Sequence, residues 1–141
     1  MTGMDYLIAM GYLAKIKPDR QLAEKEFKES ELDLLEAQKD FEEKGHKWAT
    51  IKAYYSMFHA ARAMMFLMGF KERSHYAVGE FLEAICKEGK LESSYANDYR
   101  AAMSAREGAD YHYDYDQKTA EEIVAMAVEF TKRMRKLAKL S

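Results

Sequence analysis

Apolar side chains recur at three- and four-residue steps along most of the chain, the mark of helices that each bury one face. The first such run spans Met4 to Lys15, with Tyr6, Leu7, Met10 and Leu13 on one side, and predicts a peripheral N-terminal helix within residues 1–18. Pro18 lacks an N–H donor and clashes with the preceding turn, so it separates that segment from the next, which Asp19 is placed to cap. From Arg20 to Lys44, Phe27, Leu34 and Phe41 repeat every seven residues, with Ser30 and Ala37 between them. That narrow stripe suits an antiparallel neighbour; Glu and Lys fill the other faces, and Gly45 supplies the stop. From Trp48 to Met68 apolar residues occur nearly all round, as expected of a central helix covered on most sides, and Gly69 ends it.

Ser74 is placed to cap a fourth helix carrying Val78, Phe81, Leu82 and Ile85, closed near Gly89. Ser94 is placed to cap a fifth, with Tyr95, Tyr99, Ala102, Met103 and Arg106 at helical spacing and Gly108 at its end. Thr119 and Glu122 read as a capping box that opens the last helix, whose stripe is Ile123, Ala127, Phe130, Met134 and Leu137. The expected fold is all-α: an antiparallel up-down bundle of four to five main helices, one domain over residues 1–141 with its core bundle at 20–138. No run of four or more residues reads as a core strand.

Composition narrows the function classes without choosing one. Hydrophobic residues make up 48% and charged residues 33% of the 141, which fits an ordered globular domain. The formal net charge of -2 argues against a strongly basic, non-specific nucleic-acid binder but allows a local basic patch. The single cysteine, Cys86, excludes an internal disulfide framework and a cysteine-based zinc site, and fits a reducing, cytoplasmic setting. No run approaches the length of apolar chain that a membrane helix needs, and no signal-peptide pattern opens the chain.

One segment argues for chemistry. Arg106 continues the packed face of the fifth helix, where a guanidinium needs an anionic partner. That partner is either a carboxylate of the protein or a phosphate from outside. His112 follows six residues later in Glu107-Gly108-Ala109-Asp110-Tyr111-His112-Tyr113-Asp114-Tyr115-Asp116, and a sharp turn at Gly108 brings the two toward one helix end. Guanidinium binds phosphate with two parallel hydrogen bonds, and imidazole exchanges a proton near neutral pH. Together they suit metal-free cleavage of RNA by the 2′-oxygen. The plainer alternative pairs Arg106 with Asp110 or Glu107 and leaves His112 as a loop residue. Asp110, His112, Asp114 and Asp116, each two apart, would share one side of an extended segment and offer themselves to a divalent ion, with the tyrosines opposite. An EF-hand is excluded, because Tyr115 stands where its glycine belongs, and no metal is expected.

These residues resemble those of small HEPN-domain proteins (higher eukaryotes and prokaryotes nucleotide-binding). The likeness rests on Ala53-Tyr54-Tyr55-Ser56-Met57-Phe58-His59-Ala60-Ala61-Arg62-Ala63, on Arg73-Ser74-His75, and on Arg106-Glu107-Gly108-Ala109-Asp110-Tyr111. It covers roughly residues 20–138. The resemblance implies a helical bundle that dimerises and, in many members, an Arg followed by four to six residues and a His that act as a metal-independent ribonuclease. Two copies of that motif then face each other across the dimer. It further implies a toxin whose antitoxin is a minimal nucleotidyltransferase. On that model Arg106 and His112 are catalytic, and Arg106, Asp110 and Tyr111 contact RNA or nucleotide. Tyr113 and Tyr115 lie near the place where such partners transfer AMP, though neither is two residues after His112. Glu107 stands where many active members have Asn, Asp or His. The alternative within the family is a non-catalytic module that binds a nucleotide or a nucleotidyltransferase.

The remaining polar residues have structural readings. His59 and Arg62, one turn and two turns after Tyr55, are expected to be hydrogen-bonded inside the bundle or at a dimer face. His75 is expected as a neutral imidazole or cap near a helix start, and His46 as solvated. Lys132, Arg133, Arg135, Lys136 and Lys139 are expected to meet the negative end of the last helix dipole, the alternative being a patch that attracts RNA or an acidic partner. The methionines of the central helix fill the core, any exposed part of that stripe suiting a dimer face.

Overall fold

The computed structural model describes residues 3–139. Among them six helices and two short strands follow in the order α1 (Gly3–Ala9), β1 (Leu13–Lys15), α2 (Arg20–Glu42), α3 (His46–Met68), β2 (Phe70–Glu72), α4 (His75–Lys87), α5 (Ser93–Tyr111) and α6 (Gln117–Lys139). The all-α bundle expected from the periodicity is the fold found. No described helix is long and apolar enough to cross a membrane.

Helix α3 is central, packed by α2, α4, α5, α6 and β2. Small residues let its neighbours approach: Ala49, Ala53, Ala60, Ala61 and Ala63 are fully buried. Met57, Met64 and Met65 are core residues too, with Met68 partly buried, so these methionines fill the core as expected. The stripe of α2 is buried at Phe27, Ser30 and Ala37 and partly buried at Leu34 and Phe41. Ser30 holds its place in that seam because its hydroxyl donates to the Ser56 carbonyl of α3 at 2.7 Å. Every apolar position of the last stripe, Ile123, Ala127, Phe130, Met134 and Leu137, is buried.

Several boundaries differ from expectation, each for a local reason. The first helix stops at Ala9, because Gly11 takes φ 80°, and Leu13–Lys15 pairs antiparallel with Phe70–Glu72. Leu7 and Leu13 are buried, but Tyr6 and Met10 of the expected stripe are exposed. Asp19 does cap α2, its carboxylate accepting from Leu22 N–H at 3.0 Å. The left-handed residue that ends α2 is Lys44, at φ 65°, rather than Gly45. Gly45 is needed instead for close approach: its N–H donates to the Asp40 carbonyl at 2.7 Å, and a Cβ would stand 3.3 Å from that oxygen. His46 is therefore half-buried at the start of α3, with its ring 5.7 Å from Phe41, and not free in solvent.

Gly69 at φ 85° and Ser74, accepting from Ala77 N–H, end α3 and cap α4 as expected. Helix α5 begins at Ser93 after Glu92, so Ser94 is inside its first turn, and it runs through Gly108 to Tyr111. Asp116, not Thr119, caps α6: its carboxylate accepts from Thr119 N–H at 2.7 Å and its carbonyl from Ala120 N–H at 3.1 Å. Of the basic C-terminal residues, Arg133 pairs with Glu92 at 3.0 Å, and Arg135 pairs with Glu24 and Glu31 at 3.0 and 2.9 Å. Lys136 and Lys139 sit in the last turn, where the helix dipole favours them.

Candidate functional site

Continuation of α5 past Gly108 decides the local geometry. Arg106, Asp110 and Tyr111 become neighbours on one helix, at the i,i+4 and i,i+5 positions. Arg106 Nη2 donates to the Tyr55 hydroxyl at 2.7 Å and lies 3.3 Å from Asp110 Oδ2. The guanidinium stands over three tyrosine rings, 5.2 Å from Tyr55, 5.2 Å from Tyr111 and 6.0 Å from Tyr54. Its side chain is 14% exposed, and Nε is buried with no hydrogen-bond partner. Of the two carboxylates weighed from the sequence, Asp110 is thus the partner, and the guanidinium keeps donor capacity in reserve.

His112 is the residue after α5 ends. Its N–H closes on the Gly108 carbonyl at 3.1 Å, and the residue is exposed. Six helical residues put it about 9 Å along the axis from Arg106 and on another side. Among the described residues no hydrogen bond or ion pair joins the two, so one chain places them at one helix end without bringing them together. The reason is that Gly108 is helical rather than a turn. After the helix Asp114 N–H folds back to the Gly108 carbonyl at 2.9 Å, past Tyr113 at φ 55°.

That fold-back also removes the extended metal-binding alternative. Asp110 is helical and Asp116 is engaged as a cap, so the acids and His112 do not line one side. Tyr111, Tyr113 and Tyr115 are all exposed. Lys47 lies between two aromatic faces, 5.1 Å from the Trp48 ring and 5.5 Å from Tyr113.

A second polar group adjoins Arg106 and was visible in the sequence only as Tyr55, His59 and Arg62, one face of an otherwise apolar helix. His59 Nδ1 meets Glu26 at 2.6 Å, and Arg62 is held by Glu72 at 2.9 Å and Glu26 at 3.1 Å. Both are satisfied inside the chain, as expected. One ligating atom each from Glu29, Asp33 and His59 lie within 4.8 Å of one another, with Glu26 already on His59 Nδ1 and Asp33 facing Nε2 at 3.6 Å.

His75 completes the group. Its Nδ1 is 2.8 Å from the Tyr54 hydroxyl, which is 2.9 Å from the Tyr99 hydroxyl, and its ring stacks on Phe58 at 4.3 Å. Burial lifts the Tyr54 phenol to about 12. Burial also holds the His75 imidazole below its ordinary 6.5, helped by the charges of Arg106, Arg62 and His59. The unfolded chain then accepts a proton that the folded protein resists. Stability is therefore lost as pH falls below about 6.5, and this group contributes nothing above it, where it is neutral in both states. Urea unfolding at about pH 7.5 and about pH 5.5 should show that loss in wild type and a smaller one in His75→Gln. An equal loss in both would show that His75 is not its source.

Comparison with known proteins agrees with the helical fold. Residues 23–139 match the family model for the HEPN domain. The chain is 30% identical over 112 residues to the protein named "Putative toxin MJ0605" from Methanocaldococcus jannaschii, an alignment that covers 78% of this chain and 84% of that protein.

Proposed function

Because the chain belongs to the HEPN domain family, we propose that it is a metal-independent endoribonuclease that works as a homodimer, the toxin of a pair with a minimal nucleotidyltransferase. The observation that carries this reading is Arg106: a guanidinium walled by tyrosines, with one carboxylate partner and a buried Nε that nothing satisfies. An incoming phosphodiester meets the accessible part of the guanidinium and displaces little there, since Asp110 is held at only 3.3 Å. His112 stands exposed at the end of the same helix, free to approach a substrate from either copy. Its separation from Arg106 within one chain supports a site completed by a second copy at the α5 end.

The reaction balances without a metal. Neutral His112 takes the proton of a ribose 2′-hydroxyl, and the 2′-oxygen attacks the adjacent phosphorus. The bond to O5′ breaks, and the partner copy's protonated imidazole returns a proton to O5′. The products are a 2′,3′-cyclic phosphate and a 5′-hydroxyl. Arg106 stabilises the charge that builds on the phosphoryl oxygens. Exposed Tyr113 and Tyr115 are accessible to AMP transfer by a nucleotidyltransferase partner. The relative from Methanocaldococcus jannaschii, with toxin in its name, supports the toxin assignment.

The test is incubation of the purified protein with labelled tRNA and a mixed RNA pool in EDTA. The expected result is cleavage with cyclic phosphate ends, by a species that sediments at twice the chain mass. Absence of cleavage by wild type would move the assignment to a non-catalytic HEPN module that binds a nucleotide or a nucleotidyltransferase.

A further inference from the structure

A cleft of about 380 Å³ lies between α3 and the β2–α4 corner, lined by Phe58, Arg62, Lys71, Arg73, Ser74 and His75 together with Glu72. We propose that this cleft holds a second phosphate of the RNA strand, next to the one that Arg106 engages. The proposal rests on the nuclease assignment above and extends it to the path of the substrate.

Charge supports an anionic occupant. Glu72 is committed to Arg62 at 2.9 Å, and Glu26, Arg62's other partner at 3.1 Å, also meets His59 behind the cleft. Lys71 and Arg73 flank them, both exposed, and neither makes an ion pair to any described residue. They supply donors and no acceptor. A chain whose net charge is -2 thus places two cations with no ion-pair partner among the described residues at the mouth of one concave site.

The hydrogen-bond chain behind the wall fixes a third donor. The Tyr99 ring is fully buried and, among the described residues, its hydroxyl meets only that of Tyr54, so donation there is what satisfies its proton. The Tyr54 hydroxyl then donates to His75 Nδ1. Neutral His75 consequently carries its proton on Nε2, its remaining nitrogen, on a ring that lines the cleft.

Position supports the same strand. The His75 ring is 6.1 Å from the Tyr55 ring, and the Arg106 guanidinium is 5.2 Å from the same ring. Tyr55, with Tyr54 beside it, stands between the cleft and Arg106, within the reach of neighbouring phosphates on an extended strand. Single-stranded RNA offers such a backbone, and contacts of this kind position the strand without reading sequence.

The test compares wild type, Lys71→Ala/Arg73→Ala and the charge-matched control Lys25→Ala/Lys28→Ala on a labelled single-stranded oligoribonucleotide in EDTA. In the cleft variant KM should rise about tenfold with kcat nearly unchanged, and the salt dependence of binding should flatten by about one unit of slope. The control should behave as wild type. Binding of the same oligonucleotide is followed by anisotropy, using His112→Ala protein wherever wild type cleaves. Cleavage by wild type with a cleft variant identical to the control would overturn the cleft and leave the nuclease assignment standing. Binding that depends on Lys71 and Arg73 without any cleavage would do the reverse. Neither binding nor cleavage would overturn both.

Discussion

Replacing His112 with alanine should lower RNA cleavage in EDTA by about 10²- to 10⁴-fold, the usual contribution of a positioned proton-transfer group. The fold should not notice. His112 is exposed, and its one hydrogen bond in the structure is made by its backbone N–H to Gly108. An alanine keeps that bond, so stability should stay within about 0.5 kcal/mol of wild type. Arg106→Ala should lose activity on a similar scale but with a structural cost, because the Tyr55 hydroxyl and Asp110 both lose a half-buried partner. Arg106→Lys separates charge from shape: it keeps the charge without the planar fork, and it should recover little of the rate. Wild-type cleavage rates in His112→Ala protein would remove His112 from the chemistry, whatever the RNA is.

The parts of this molecule that were legible in the sequence are those decided locally. The α6 stripe, the Asp19 and Ser74 caps and the αL glycine at position 69 each follow from residues a few positions apart, and each is found. Pairing of Leu13–Lys15 with Phe70–Glu72 joins segments far apart in the chain, and three-residue strands carry too little pattern to announce themselves. The caps that were missed had competing candidates nearby: Lys44 beside Gly45, and Asp116 beside Thr119. Gly108 misled for a physical reason. Glycine is tolerated inside a helix at modest cost, and here a Cβ would meet the returning Asp114 carbonyl at an ordinary 3.5 Å, so nothing local forces a turn.

The site divides the same way. The Arg106–Asp110 pair could be read from i,i+4 spacing once the helix was known to continue, whereas the Tyr55 hydroxyl lies 51 residues away in sequence and belongs to a different helix. His75 was placed only as a neutral imidazole or cap, because its partners, Tyr54 and Phe58, come from α3. The stretch from Ala53 to Ala63 therefore does two jobs. Its alanines and Met57 are buried and let helices pack around α3, while Tyr54, Tyr55, His59 and Arg62 build a polar margin against α2, α4 and α5.

That division predicts a variant with the opposite phenotype to His112→Ala. Phe130 on α6 is fully buried, with its ring 6.3 Å from Tyr95 and 6.1 Å from Tyr99 of α5. Truncation to alanine removes an aromatic ring from a packed interior and should cost about 3–5 kcal/mol. Against a domain stability of about 5–15 kcal/mol this is a large fraction, yet it leaves most such domains folded at room temperature. With a urea slope of about 2 kcal/mol per molar, the unfolding midpoint should drop by about 2 M with the slope unchanged. Phe130 meets the site's hydrogen-bond chain at Tyr99, whose hydroxyl is anchored independently by Tyr54. Cleavage per folded molecule, measured well below the transition, should accordingly fall only a few-fold. Phe130→Leu should recover more than half of the lost stability, since it refills most of the cavity. A midpoint unmoved by Phe130→Ala would contradict the packing of α6 against α5. A midpoint that moves while the rate per folded molecule collapses would show instead that the α5–α6 contact sets the position of Arg106, and that the site depends on the whole bundle rather than on the margin of α3.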